Sequence, residues 1–72
     1  MIQKYDSEPK DALAKHAWNL FRTKYEGEPK KMFLHIPCDK TLPAYWVGTV
    51  NDDVYVITSL EVKSTFIKLG KN

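Results

Sequence analysis

Three segments of the chain are rich in β-branched and aromatic residues and predict strands, but none alternates cleanly between apolar and polar side chains. The segments are residues 31–36, 45–50 and 54–59. An antiparallel sheet with one face in water normally shows that alternation. The pattern therefore predicts a sheet that is apolar on both faces. We expect the second face to be covered by another part of the chain, by a second copy or by a partner.

Neighbouring residues of a strand point to opposite faces, which divides the apolar side chains of the predicted sheet into two sets. The first set is Met32, Leu34, Ile36, Val54 and Val56. The second set is Phe33, Tyr55, Ile57 and one residue of the adjacent pair Tyr45 and Trp46. We expect one member of that pair to pack under a helix and the other to lie on the second face.

The clearest predicted element is a helix over residues 9–26, with Ser7 or Glu8 at its entrance and Pro9 in its first turn. Its apolar residues recur at the spacing of one buried helical face. They are Leu13, Ala17, Leu20, Phe21 and Tyr25, with Ala14 and Trp18 beside them. We expect Gly27 to end the helix in the left-handed conformation, which glycine adopts without a steric penalty.

The C-terminal segment fits either a helix or a strand. By intrinsic propensity a strand is favoured by Val62, Thr65, Phe66 and Ile67. Thr58 and Glu61, however, have the spacing of a capping box, in which each side chain accepts a hydrogen bond from the backbone N–H of the other residue. We therefore predict a short helix over residues 60–69 and keep a fourth strand as the alternative.

The connections between the predicted strands differ in length. Residues 37–43 form a loop bounded by two prolines, which is the best candidate for a functional loop. The segment Asn51-Asp52-Asp53 predicts a hairpin turn, because Asn and Asp tolerate positive φ. Gly48 inside the middle strand indicates a bulge or a close approach of another group to the backbone.

Together these elements predict a single α+β domain over residues 1–72, with an N-terminal helix, a three-stranded antiparallel sheet and a short C-terminal helix. A domain of this size buries only about 60% of its unfolded surface, so its stability margin is small. Small domains commonly gain further stability from disulfides, a structural metal or oligomerisation. The single cysteine, Cys38, excludes an intrachain disulfide here. One cysteine and no apolar segment near Met1 predict a cytoplasmic protein that does not enter a membrane.

The sequence contains no residue pattern that indicates catalysis or a bound cofactor. His35 and Cys38 have the spacing of one pair of metal ligands, but no second pair accompanies them. Asp39 and Lys40 beside Cys38 have opposite effects on a thiolate, so a nucleophilic cysteine is not indicated. With three glycines in the whole chain, no glycine-rich phosphate loop is present. We expect a protein that is not an enzyme and holds neither a metal nor a cofactor.

A basic and aromatic stripe on the first helix gives an alternative function. Lys15, Trp18 and Arg22 share one helical flank, and Lys30 and Lys31 follow the helix. Such a stripe predicts contact with a nucleic-acid backbone while the indole stacks on a base. The net charge of +2, from eleven basic and nine acidic residues, provides little electrostatic support for nucleic-acid binding.

An aromatic cluster on the sheet supports the preferred function. Phe33, Tyr45, Trp46 and Tyr55 are the residues that we predict to contact a partner, since tyrosine and tryptophan are common anchors of protein interfaces. The loop at residues 38–42 would lie at the edge of this surface. The prediction is a small interaction module that binds another protein or a second copy of itself, the latter through the aromatic face or the sheet edge.

Overall fold

The computed structural model, which describes residues 1–70, has the α+β architecture that the sequence predicts. Its elements in chain order are β1 (Ile2–Tyr5), α1 (Ala12–Lys24), β2 (Pro29–His35), β3 (Tyr45–Val50), β4 (Asp53–Thr58) and α2 (Ser59–Gly70). The strands form one antiparallel sheet in the order β1-β2-β3-β4. The three predicted strands are therefore present, and β1 is a fourth strand that the prediction missed.

Strand β1 extends the sheet beyond β2. Ile2 lies opposite His35 and Tyr5 lies opposite Met32. Beyond the strand, the backbone N–H of Ile36 donates to the carbonyl of Met1 at 2.8 Å, and the backbone nitrogen of Met1 donates to the carbonyl of Ile36 at the same distance. The four residues of β1 are held by this ladder, since only Tyr5 among them is as much as half-buried.

Helix α1 is shorter at both ends than predicted. It begins after Asp11, whose side chain accepts a hydrogen bond from the backbone N–H of Ala14 at 3.0 Å, so Asp11 replaces Ser7 or Glu8 as the N-cap. At the other end the N–H of Gly27 donates to the carbonyl of Arg22 at 3.2 Å, as in a Schellman motif. The left-handed residue is Glu26, with φ of 50°, so the prediction that Gly27 takes this conformation was wrong.

Gly27 lies instead where there is little space for a side chain. A Cβ at this position would lie 2.6 Å from Nδ2 of Asn51 and 2.8 Å from Cγ1 of Val50. The chain leaving α1 therefore passes directly against the turn between β3 and β4.

Helix α2 confirms the preferred interpretation of the C-terminal segment. The hydroxyl of Thr58 accepts a hydrogen bond from the backbone N–H of Glu61 at 3.1 Å, which is the N-cap half of the predicted capping box. Thr58 is also the last residue of β4. Strand and helix therefore follow each other without a connecting loop.

Both helices pack on the same face of the sheet. Helix α1 contacts β2 and β3, α2 contacts β3 and β4, and the two helices contact each other. The buried core between the helices and the sheet consists of Ala14, Ala17, Trp18, Phe21, Met32, Trp46, Val50, Ile57 and Val62. The shortest dimension of the molecule is 19 Å, which fits one layer of helices on one sheet.

Strand register decides which side chains face that core. Met32 lies opposite Gly48, which lies opposite Tyr55. The next inward row is Leu34, Trp46 and Ile57. The predicted sets were therefore wrong for β4, because Tyr55 and Ile57 share the face of Met32 and Leu34, whereas Val54 and Val56 lie on the other face.

The turn between β3 and β4 explains this error. Asn51 and Asp52 both have positive φ, at 53° and 67°, and Val50 lies directly opposite Asp53. The turn thus contains two residues, as in a type I′ hairpin, rather than the predicted three. Shifting a strand by one residue moves each of its side chains to the opposite face of the sheet.

Candidate protein-interaction surface

The sheet face opposite the helices, which we call the open face, carries the outward side chains of all four strands. Rows of paired residues define it, such as Phe33, Val47 and Val56 in its centre. Its members are Ile2, Lys4, Lys31, Phe33, His35, Tyr45, Val47, Thr49, Val54, Val56 and Thr58. Neither helix packs on this face, since both lie on the opposite side.

The open face is apolar along its centre and toward β4. Val54 and Val56 are 65% and 56% exposed, and Ile2 at the opposite edge is 64% exposed. Phe33, Tyr45 and Val47 are half-buried by their neighbours within the sheet. The rings of His35 and Tyr45 are tilted against each other, with centroids 4.8 Å apart. Contiguous apolar side chains of this kind are typical of a contact surface rather than of a solvated sheet face.

The charges on the open face have one sign. The outward positions of the four strands include Lys4 and Lys31 but no aspartate or glutamate. Lys4 pairs with Asp6 at 3.6 Å, and that carboxylate lies just beyond the end of β1. The two lysines belong to β1 and β2, whereas β3 and β4 contribute only uncharged outward residues, so the basic side chains are confined to one half of the surface.

The four aromatic residues predicted to bind a partner lie on two different faces. Phe33 and Tyr45 are on the open face. Trp46 is only 2% exposed and belongs to the core, where its ring lies 6.2 Å from that of Tyr5. Tyr55 is on the helix side and stacks on Tyr25, with ring centroids 3.7 Å apart and planes 11° from parallel. The structure therefore brings Phe33 and Tyr45 to one surface and places the other two behind the sheet.

Several residues of the open face were not among the predicted site residues. The valines at positions 47, 54 and 56 supply most of its aliphatic surface, and Ile2 extends that surface onto β1. The signal for Val54 and Val56 was present in the two-residue turn Asn51-Asp52, which determines the register of β4. The predicted contact residues were chosen because they are aromatic, which leaves out these aliphatic side chains.

The loop between β2 and β3 lies at one end of the open face, since it joins His35 to Tyr45. Asp39 accepts hydrogen bonds from the backbone N–H of Thr41 at 2.9 Å and from its hydroxyl at 2.7 Å. These two bonds, the backbone one first, lower the pKa of the Asp39 carboxyl below its ordinary value. Leu42 is exposed next to this turn and adds an apolar side chain to the loop.

The basic stripe predicted on α1 is not assembled in the structure. Trp18 is 2% exposed and packs in the core, so its indole is not available to stack on a base. Lys15 pairs with Glu8 at 3.9 Å, Arg22 pairs with Glu28 at 3.6 Å, and Lys30 pairs with Asp52 at 3.4 Å. Of the five residues, Lys31 alone lies on the open face.

The histidines and the cysteine are not clustered. Nε2 of His16 lies 2.7 Å from the hydroxyl of Thr65 and links α1 to α2, and burial lowers the pKa of His16. Cys38 is an exposed free thiol. Within residues 1–70, no group of three or more His, Cys, Asp or Glu side chains is placed to hold a metal ion. No helix in that part of the chain is long and apolar enough to cross a membrane.

Comparisons of this chain with protein-family models, with curated proteins and with solved structures gave no significant match.

Proposed function

We propose that the protein is a non-enzymatic interaction module that binds another protein through the open face. One observation carries this proposal: both helices lie on one side of a sheet that is apolar on both sides. Covering exposed residues such as Val54 and Val56 with a partner removes apolar surface from water, which favours association.

The size of the open face indicates a weak or transient contact. Four strands spaced about 4.8 Å apart and about five residues long give a face of about 19 by 17 Å, or about 300 Å² in projection. Stable protein–protein interfaces commonly bury about 800 Å² of accessible surface on each partner. A partner that contacts only this face is expected to bind reversibly.

The charge pattern indicates which kind of protein fits. Lys4 and Lys31 form a basic margin on the half of the face that β1 and β2 supply, and Phe33 and Val47 form an apolar centre. Complementarity favours a partner with an apolar patch next to carboxylates. Ion pairs at this exposed margin mainly steer association, and the apolar contact supplies most of the affinity.

Nucleic acid is the main alternative occupant of the same face, because Phe33 and Tyr45 could stack on bases beside Lys4 and Lys31. Protein is favoured since the face has only two lysines, one of them paired with Asp6. A face that binds single strands is normally part of a strongly basic groove, whereas the net charge of this chain is +2.

The experiment is cross-linking in the native host with a photoreactive phenylalanine derivative placed either at Phe33 or at Phe66. Phe66 is the matched control, since it is 38% exposed on α2 and away from the open face. We expect one protein to be recovered from position 33 and not from position 66, and recovery that survives nuclease treatment. A nucleic-acid adduct at position 33, or equal recovery from both positions, would contradict the proposal.

Binding of the recovered protein is then measured with purified components. Phe33→Ala and Lys31→Glu should each weaken binding, while Leu60→Ala should leave it unchanged because Leu60 is 76% exposed on α2. Circular dichroism and urea denaturation establish that each variant is folded. If binding is unchanged in a folded Phe33→Ala variant, the open face is not the contact surface.

A further inference from the structure

A second feature that points to a partner is the edge of the sheet at β4. The two edges differ in how they are protected against pairing with another chain. Strand β1 is four residues long and carries Lys4, whereas β4 is six residues long and contains neither lysine nor proline. Natural sheets protect an exposed edge with charges, prolines, bulges or very short strands. The β1 edge is a short strand with a lysine in it, whereas the only charge on β4 is Asp53 at its first residue.

The hairpin turn shows which backbone groups of β4 point away from the sheet. Val50 and Asp53 close a two-residue turn and therefore form a hydrogen-bonded pair. Hydrogen-bonded and non-hydrogen-bonded residue pairs alternate along an antiparallel ladder. After Asp53, Tyr55 is therefore the next residue of β4 whose backbone groups bond to β3. The bond from the N–H of Ser59 to the carbonyl of Ala44, at 3.0 Å, lies on the same alternation and supports it.

It follows that the N–H and C=O groups of Val54 and Val56 face outward, away from β3. Within residues 1–70, β4 pairs with β3 alone, so no strand pairs with the outward side of β4. The side chains of both valines are more than half exposed. Val54 and Val56 thus present four outward backbone groups next to their exposed aliphatic side chains, which is the arrangement that accepts an added strand.

We propose that β4 pairs in antiparallel orientation with β4 of a second copy, around a twofold axis at Tyr55. In this register Val54 of each copy lies opposite Val56 of the other, and the four outward groups of these two valines all form hydrogen bonds. Asp53 of one copy then lies about 14 Å from Asp53 of the other, so the like charges are largely screened. The product is a continuous eight-stranded antiparallel sheet.

A second copy is the occupant that this edge fits best, because the edge is complementary to itself. The twofold operation pairs donors with acceptors without requiring a new residue, and the two valines meet valines. The dimer also places the two open faces side by side and doubles their projected area to about 600 Å², close to the range of stable interfaces. Edge pairing does not depend on the proposed function, since it uses backbone groups outside the open face.

Proline substitution tests the edge directly. Val56→Pro removes an outward N–H and leaves the hydrogen bonds between β3 and β4 in place, because proline is tolerated where the N–H faces solvent. Lys4→Pro is the matched control at the other edge: Met1 and Ile36 form a hydrogen-bonded pair, so the N–H of Lys4 also points outward. Sedimentation from low to high micromolar concentration measures the dimer dissociation constant of each protein.

We expect a dimer for the unmodified chain and for Lys4→Pro. For Val56→Pro we expect a dissociation constant at least about tenfold higher, since two hydrogen bonds are lost per dimer. If Val56→Pro does not fold by circular dichroism, the double variant Val54→Lys and Val56→Lys provides the same test, because it places like charges opposite each other across the axis. A monomeric unmodified chain, or a dimer unchanged in the folded variants, would refute edge pairing.

Disulfide cross-linking distinguishes edge pairing from packing of the open faces. In a Cys38→Ser background, Tyr55→Cys places a thiol at the twofold axis, at a position where opposite Cα atoms lie about 4.5 Å apart. Val47→Cys in the same background places it in the middle of the open face instead. Covalent dimers are expected from the first variant and not from the second, and the reverse result would refute the proposal. A monomer that still binds its partner through Phe33 would overturn edge pairing but not the proposed function.

Discussion

Gly48 is the position where a single added methyl group most directly tests the packing of this fold. The ring of Phe21 packs against the backbone of β3 at Gly48, and a Cβ there would lie 2.7 Å from Cδ1 and 2.8 Å from both Cε1 and Cγ of that ring. Contacts below 3.0 Å are essentially absent between real Cβ atoms and their neighbours. Phe21 has no exposed surface, so the ring has no open space into which it can move. Gly48→Ala therefore forces a displacement within the core.

The expected cost follows from two opposing effects. Overpacking a close-packed core typically costs about 1–3 kcal/mol. Replacing glycine by alanine in a strand recovers about 0.5–1 kcal/mol of backbone entropy. From the middle of each range we expect a net loss of about 1 kcal/mol. A chain of 72 residues has a free energy of unfolding of about 4–11 kcal/mol, so the variant should still fold.

A double-mutant cycle with Phe21→Leu shows whether the ring is the cause. Urea denaturation of the parent, both single variants and the double variant measures the four free energies of unfolding. The double variant should be destabilised by at least about 1 kcal/mol less than the sum of the single variants, because the smaller side chain leaves room for the methyl group. If Gly48→Ala is neutral, or costs the same in both backgrounds, the close approach of Phe21 does not explain the glycine.

Two further substitutions test the ends of the helices. Glu26→Gly should stabilise the protein by up to about 1 kcal/mol, because Glu26 holds a φ of 50° at the end of α1 and glycine adopts this conformation without strain; an unchanged urea midpoint would contradict this expectation. Thr58→Ala should cost about 1 kcal/mol by removing the acceptor for the N–H of Glu61, while Thr58→Ser should restore most of the loss in the same denaturation assay. Equal stability of the two Thr58 variants would show that the hydroxyl does not cap α2.

The parts of the fold that sequence reasoning predicted are those with short-range signals. The apolar face of α1 recurs at helical spacing, and the capping box at Thr58 and Glu61 identified α2 despite residues that favour strands. The close approach predicted at Gly48 is also confirmed, although the irregularity in the sheet lies between Pro29 and Lys31. Each of these signals is carried by residues of a single helix or strand, or by the residues at its end.

The parts that were missed depend on contacts between distant segments or on the exact length of a turn. Strand β1 is only four residues long and becomes regular through pairing with residues about thirty positions away, so its own pattern gives little indication of it. The faces of β4 depended on whether its turn contains two residues or three. That single difference separated Tyr55 from Phe33 and brought Val56 beside Phe33 and Val47 instead. The interaction surface therefore changed from aromatic to mixed aromatic and aliphatic.

The open face follows from the ratio of helices to strands. Two helices packed about 8–10 Å apart cover a width close to the 19 Å of a four-stranded sheet, whereas one helix covers about half of it. One helix on each side would leave both faces half exposed and would separate Phe21 of α1 from Val62 of α2, which are fully buried in the same core. Placing both helices together completes one core, and within residues 1–70 it leaves the opposite face without a helix on it. Strand β1 enlarges the uncovered face, because it widens the sheet without adding a helix. A protein partner on the open face would cover this apolar surface.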